Sequence, residues 1–151
     1  MDLIIDTREQ NALPFKAGSR NTIEVKTLKV GDYSLKNYEN EIAIERKSPS
    51  DLFSSLGKGH SRFKKELGKS QKLKYFAIVV EGDYDTILHK DFESAHFSKM
   101  KGYVITSILF TLHMKYGINV FFCKDRYQSV RVIKELFKAF LKLQEDKTKT
   151  V

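Results

Sequence analysis

The order of segments along this chain predicts an α/β sandwich, a mixed β-sheet flanked by helices, antiparallel at the front and parallel behind. Three observations carry that expectation. Short apolar or alternating segments come first, between Leu3 and Ile44. Strand-like and helix-like segments then alternate as far as Leu143. The 151 residues hold no repeat, no Pro-rich or Gly/Ser-rich linker and only two prolines, Pro14 and Pro49. One domain over residues 1–144 is therefore expected, with a polar tail over 145–151.

Leu3 to Ile5 reads as a short buried strand, with Asp6-Thr7-Arg8-Glu9 at its end. Thr22 to Leu28 alternates with the period of a half-buried strand. Gly31-Asp32 interrupts, then Tyr33 to Leu35 and Ile42 to Ile44 form a hairpin around the turn residues Asn37 to Asn40. Ser48-Pro49-Ser50-Asp51 opens a helix: serine at the N-cap, proline at the first helical position, an acid three residues after the cap. Leu52, Phe53 and Leu56 are its apolar face, and Gly57-Lys58-Gly59 ends it. Ser61 is expected to cap a second helix running to about Leu73. Tyr75 to Val80 has the continuous apolar character of a strand buried on both faces. Ser98 to Tyr116 reads as a helix closed by Gly117, Ile118 to Phe122 as a buried strand, and Tyr127 to Leu143 as the last helix.

Hydrophobic residues make up 41% and charged residues 30%, which excludes a disordered chain. No apolar run approaches the roughly 18 residues of a membrane span, and the start, MDLIIDTREQ, lacks a signal-peptide layout. A lone cysteine, Cys123, excludes a disulfide framework and a Cys-rich zinc site and fits the reducing cytoplasm. Cys123 and His113 read as core residues, and packing is favoured for Tyr33 and Tyr103. Lys plus Arg number 27 against 19 Asp plus Glu, giving +8, and the excess suggests an anionic partner, most simply nucleic acid.

The chemistry-bearing residues fall at strand ends. Asp6 follows the first strand, Asp32 sits at a strand interruption, Glu45 and Lys47 follow the hairpin, and Asp51 lies in the first turn of the next helix. Four carboxylates and a lysine could thus meet at one sheet edge. Magnesium takes oxygen ligands, usually one or two carboxylates plus waters and phosphate. Lys47, two residues after Glu45, points to the same side of an extended chain and could orient or deprotonate an attacking water. For Asp51, helix capping alone is an equal explanation.

Asp32 followed 13 residues later by Glu45-Arg46-Lys47 is the layout of the PD-(D/E)xK nucleases, which have a restriction-endonuclease-like fold. The longer string, Gly31-Asp32 then Glu45-Arg46-Lys47 and Asp51, resembles the GD…ERK-x-x-x-D motif of the XPF/Hef/Mus-type structure-specific endonucleases. Asp6-Thr7-Arg8-Glu9, Val30 to Tyr33, Asp51 to Leu56, Arg62-Phe63 and Glu66 extend the resemblance, which is sharp from Leu3 to about Glu66. It implies metal-dependent hydrolysis of DNA phosphodiester bonds, in branched or structured DNA, during repair, recombination or replication. It implies Asp32 and Glu45 as the main ligands of Mg2+ or Mn2+, with Asp6 and Asp51 supporting them, and Lys47 serving the water. Arg8, Arg46 and Arg62 would hold phosphates. Relatives that cut flaps and forks carry a tandem helix-hairpin-helix module after the nuclease, and none follows here before Val151. The chain therefore resembles short stand-alone members of bacteria and their phages. Two alternatives stay open: a non-catalytic basic DNA-binding subunit, and a PD-(D/E)xK nuclease of another substrate class. An inactive subunit would have no need of Asp6, Asp32, Glu45 and Lys47 together.

From Lys58 to Lys74 seven basic residues stand against the single acid Glu66. At helical spacing Arg62, Lys65, Lys69 and Lys72 share a face, and with Lys58 they form an expected DNA-backbone track. The last helix carries an apolar arc about 200° wide, where packing on one core needs about 100°. A homodimer through that helix, with Val132, Leu136 and Leu143 at the interface, is the expected use of the surplus. The family's nuclease domains tend to pair, which points the same way.

Overall fold

The computed structural model describes residues 1–149. Its strands are β1 (Asp2–Ile5), β2 (Thr22–Val25), β3 (Tyr33–Leu35), β4 (Ile42–Lys47), β5 (Tyr75–Val80) and β6 (Asn119–Phe122). They pair in the order β2-β1-β3-β4-β5-β6. β3 runs antiparallel to both β1 and β4, while β4, β5 and β6 are mutually parallel, as expected. β2 departs from the antiparallel front by joining β1 in parallel at the outer edge. It is shorter and more exposed than its alternation suggests, with Val25 largely in solvent.

The helices are α1 (Pro49–Leu56), α2 (His60–Ser70), α3 (Tyr84–Leu88), α4 (Gly102–Tyr116) and α5 (Arg126–Lys149), with a 3-10 turn at Ala95–Phe97. They cover the two faces of the sheet. Because side chains alternate along a strand, Ile42, Ile44, Ala77 and Val79 face α5 and meet Val130, Ile133, Phe137 and Phe140. Ala43, Phe76, Ile78 and Val80 face the other way, onto Leu52, Phe53, Phe63, Ile105 and Leu109 of α1, α2 and α4. The same alternation directs Glu45 and Lys47 to the α1–α2 side, and Arg46 to the α5 side.

Local chemistry sets several boundaries. The Ser48 side chain accepts the Asp51 N–H, so α1 starts as its sequence indicates. Gly117, at φ 67°, closes α4 through its N–H to His113. Other boundaries differ. Gly59, not Ser61, precedes α2, which ends at Ser70 in a turn over residues 71–73. α4 begins at Gly102, because residues 98–101 approach it without helical bonding. β6 is half-buried, since it forms the far sheet edge. α5 continues past Leu143 to Lys149, so the segment read as a polar tail is helical that far; Thr150 and Val151 lie outside the described residues. His113 lies at the surface with Nδ1 against the Ile118 carbonyl, and Tyr103 is exposed, so neither is a core residue. Cys123 is buried.

Candidate active site

Gly31 makes the geometry possible. Its φ is +78°, and a Cβ there would lie 2.9 Å from the Cβ of Ala43 and 3.2 Å from the Ile44 carbonyl oxygen. Glycine alone fits both demands. The chain can then bring Asp32 back onto β4, where its N–H donates to the Ile44 carbonyl at 2.9 Å. The Asp32 carboxylate in turn accepts the Arg46 backbone N–H at 2.8 Å. Asp32 is thereby held beside Glu45, the residue before Arg46.

Burial, then repulsion from Glu45, pushes the Asp32 carboxyl up to about 8, although the Arg46 N–H works in the opposite direction. Burial also raises Glu45, opposed by Lys47 and reinforced by Glu66. Lys47 Nζ lies 3.2 Å from Glu45 and 5.0 Å from the centre of the Phe63 ring, so α2 supports the lysine from below. Lys47 opens into a cleft of about 330 Å³ that is also lined by Asp51, Lys58, Arg62 and Glu66. Two acids competing for one proton next to a lysine suit a divalent cation, which removes the repulsion that burial amplifies.

The structure gives the remaining expected site residues different surroundings. Both Asp6 carboxylate oxygens are engaged: Oδ1 by the Leu28 N–H at 2.8 Å, Oδ2 by Arg8 Nε at 2.9 Å. Among the described residues, no three acidic, histidine or cysteine side chains are placed to share one ion. Of the expected set, Asp32 and Glu45 lie side by side, while the Asp6 carboxylate is turned to the Leu28 and Arg8 N–H groups. Asp6 organises the loop, and its N–H bonds the Asp32 carbonyl at 2.8 Å. Arg8 is tied to Asp6 and the Leu28 carbonyl but stays 69% exposed, and its hydrogen bond with Asp6 raises its pKa. Asp51 is exposed, with its backbone in the α1 cap and its side chain on the cleft.

Arg46 was expected to hold phosphate, but it turns away from the cleft. Nε and Nη2 grip Glu9 at 2.7 and 2.6 Å, and Nη1 reaches Glu81 at 3.0 Å. All three side chains are at most 9% exposed. Burial opposes the guanidinium's charge, yet Glu9 and Glu81 together raise its pKa. Glu9 also accepts the Tyr33 hydroxyl at 2.6 Å, and burial first, then this bond, raises the Tyr33 pKa. Tyr33 is fully buried against Phe15, so it packs as expected. Arg126, at the start of α5, joins Glu81 at 3.4 Å and bonds the Asn11 and Ala12 carbonyls. Glu81 and Arg126 escaped sequence reasoning. Only Glu9 had a signal, its place in the D-x-R-E string.

Arg62, Lys65 and Lys69 line the exposed face of α2, opposite its buried Phe63 and Leu67, while Lys58 precedes the helix and Lys72 follows it, both exposed. The basic stripe borders the cleft through Lys58 and Arg62.

A mixed sheet with helices on both faces, carrying Asp32 and the Glu45–Lys47 pair at adjoining strand ends, is a restriction-endonuclease-like fold. The ERCC4 domain model matches residues 5–136, and the chain belongs to that family, the family of the XPF nucleases. Two structures of XPF from Aeropyrum pernix, one alone and one in complex with DNA, superpose with TM-scores of 0.68 and 0.69 at 22% identity. They cover 92% and 93% of this chain, which spans 61% and 65% of theirs. A protein of Methanocaldococcus jannaschii, whose name proposes an ATP-dependent RNA helicase, is 29% identical over 131 residues. That match takes in 87% of this chain and 14% of the relative. No helix among the described residues is long and apolar enough to cross a membrane.

Proposed function

We propose that the chain is a metal-dependent DNA endonuclease that hydrolyses phosphodiester bonds in branched or structured DNA. The observation that carries this reading is the buried Asp32 carboxyl, held by the Arg46 N–H beside the Glu45–Lys47 pair, at the head of a cleft lined by Asp51, Lys58, Arg62 and Glu66. Asp32 and Glu45 would hold Mg2+ or Mn2+, for which two carboxylates with waters and substrate phosphate suffice. When bound, such an ion supplies a more acidic attacking water and neutralises charge developing on the phosphate. Lys47, steadied by Glu45 and Phe63, orients that water or takes its proton. Arg62 and Lys58 line the cleft where a scissile phosphate would enter, and Arg8, tied to Asp6, keeps an exposed guanidinium. Asp51 is placed to assist through water. Arg46 and Asp6 act at one remove, by fixing the backbone on either side of Asp32.

The XPF complex with DNA makes DNA the substrate class of choice. Labelled duplex, flap, fork and four-way DNAs, incubated with the purified chain with and without magnesium, test the reading. Magnesium-dependent cutting of forks or flaps above duplex supports it. Binding without cutting on every substrate would assign the chain to a non-catalytic subunit.

A further inference from the structure

We propose that Phe97 and His96 form a stacking site for an unpaired base of the DNA strand passing the active-site cleft. The inference rests on the nuclease reading above and adds to it a place where strand structure is sensed. Phe97 is 80% exposed. A lone exposed apolar side chain ordinarily needs no explanation, but here the surrounding loop is fixed. Phe92, five residues earlier, packs its ring 5.1 Å from that of Phe53. Lys90 Nζ donates to the Ser98 carbonyl at 2.7 Å, and the Phe97 N–H to the Ser94 carbonyl at 3.0 Å. Ser94 adopts φ 70°, a conformation unfavourable for serine, and thereby reverses the chain into the 3-10 turn. A loop anchored at both ends thus presents one aromatic ring to solvent, with the His96 ring 4.2 Å from it.

The position of that ring identifies its occupant. Phe97 lines a cleft of about 370 Å³ together with Ser54, Lys58 and Lys99, and no acidic residue lines it. Ser54 and Lys58 also line the active-site cleft, so the two clefts adjoin across a shared wall. Lysines flanking an exposed ring are the combination that binds single-stranded nucleic acid: cations follow the backbone and the ring takes a base. Duplex DNA keeps its bases stacked on one another, so the site favours a strand that has opened.

Fluorescence anisotropy in EDTA, with an end-labelled thymidine oligonucleotide and a duplex of equal length, separates binding from cutting. Phe97→Ala should weaken single-strand binding about tenfold and lower the ratio of single-strand to duplex affinity. Phe97→Trp should restore that ratio, and Phe97→Leu should not. An unchanged ratio in Phe97→Ala, or full rescue by leucine, would overturn the stacking site while leaving the nuclease reading intact. A wild-type chain that binds neither DNA would overturn both. Light scattering on Phe97→Ala completes the test, since loss of a dimer would make Phe97 a subunit contact instead.

Discussion

Asp32 holds its proton to about pH 8, whereas the same carboxyl in an unfolded chain ionises at about 3.9. Between those values the folded state binds more protons than the unfolded state, so stability falls as pH rises through that window. In metal-free buffer, melting temperature should therefore decline from about pH 5 to about pH 8. Asp32→Asn should flatten that decline and melt a few degrees higher than wild type at the alkaline end. Magnesium should raise the wild-type melting temperature more at the alkaline end than near pH 6, where the ion must displace a proton. Arg46 presents a different case. Removing it leaves buried Glu9 with only the Tyr33 hydroxyl and Glu81 with only Arg126, and loss of one member of a buried pair costs about 3–5 kcal/mol. Chemical denaturation of Arg46→Ala should show a loss of that size. The grouping of Asp32 with Glu45 and Lys47 was legible in the sequence because Glu45 and Lys47 share one side of β4 and the hairpin returns that strand beside Asp32. The true partners of Arg46 were not: Glu9 and Glu81 lie 37 and 35 residues away. Only the sheet order brings them together.

Among the elements, α2 is the clearest union of pattern and function. Its buried Phe63 and Leu67 set the rotation that leaves Arg62, Lys65 and Lys69 in solvent beside the cleft. Replacing Lys65, Lys69 and Lys72 by alanine should reduce the salt dependence of DNA binding by about one unit of slope for each phosphate no longer neutralised, whatever the DNA sequence. An unchanged slope would make the stripe an ordinary solvated face. Long periodic segments such as β5, α4 and α5 could be read because burial repeats along them. α3 could not, because five residues present little more than one turn. Its one signal is Asp83, whose side chain accepts the Thr86 N–H at 2.8 Å. β6 misled for another reason: INVFF is apolar enough for a central strand, and only its place at the sheet edge keeps it half-buried.

At the scale of the whole molecule, the sheet places two kinds of chemistry on opposite faces of one strand, β4. Glu45 and Lys47 face the cleft, while Arg46 locks the strand to the α5 side through Glu81 and Arg126. The wide apolar arc of α5 is partly used within the chain, since Val132 and Leu136 pack against its core and Leu143 remains 59% exposed. Exposed Tyr103, Phe110 and Met114 on α4 add unburied apolar surface. Pairing of two chains through α5 predicts a dimer mass by light scattering at tens of micromolar. It also predicts that Leu143→Glu, which spares the internal core, shifts that mass to the monomer. A wild-type monomer would leave those side chains in solvent. On the proposed mechanism Asp32 and Glu45 together hold the ion that drives hydrolysis. The most direct test compares wild type and Asp32→Ala on labelled fork DNA in magnesium, with affinity for the same DNA measured in parallel. Asp32→Ala should bind the fork nearly as tightly as wild type and cut it at no measurable rate; cutting at the wild-type rate would remove Asp32 from the metal site.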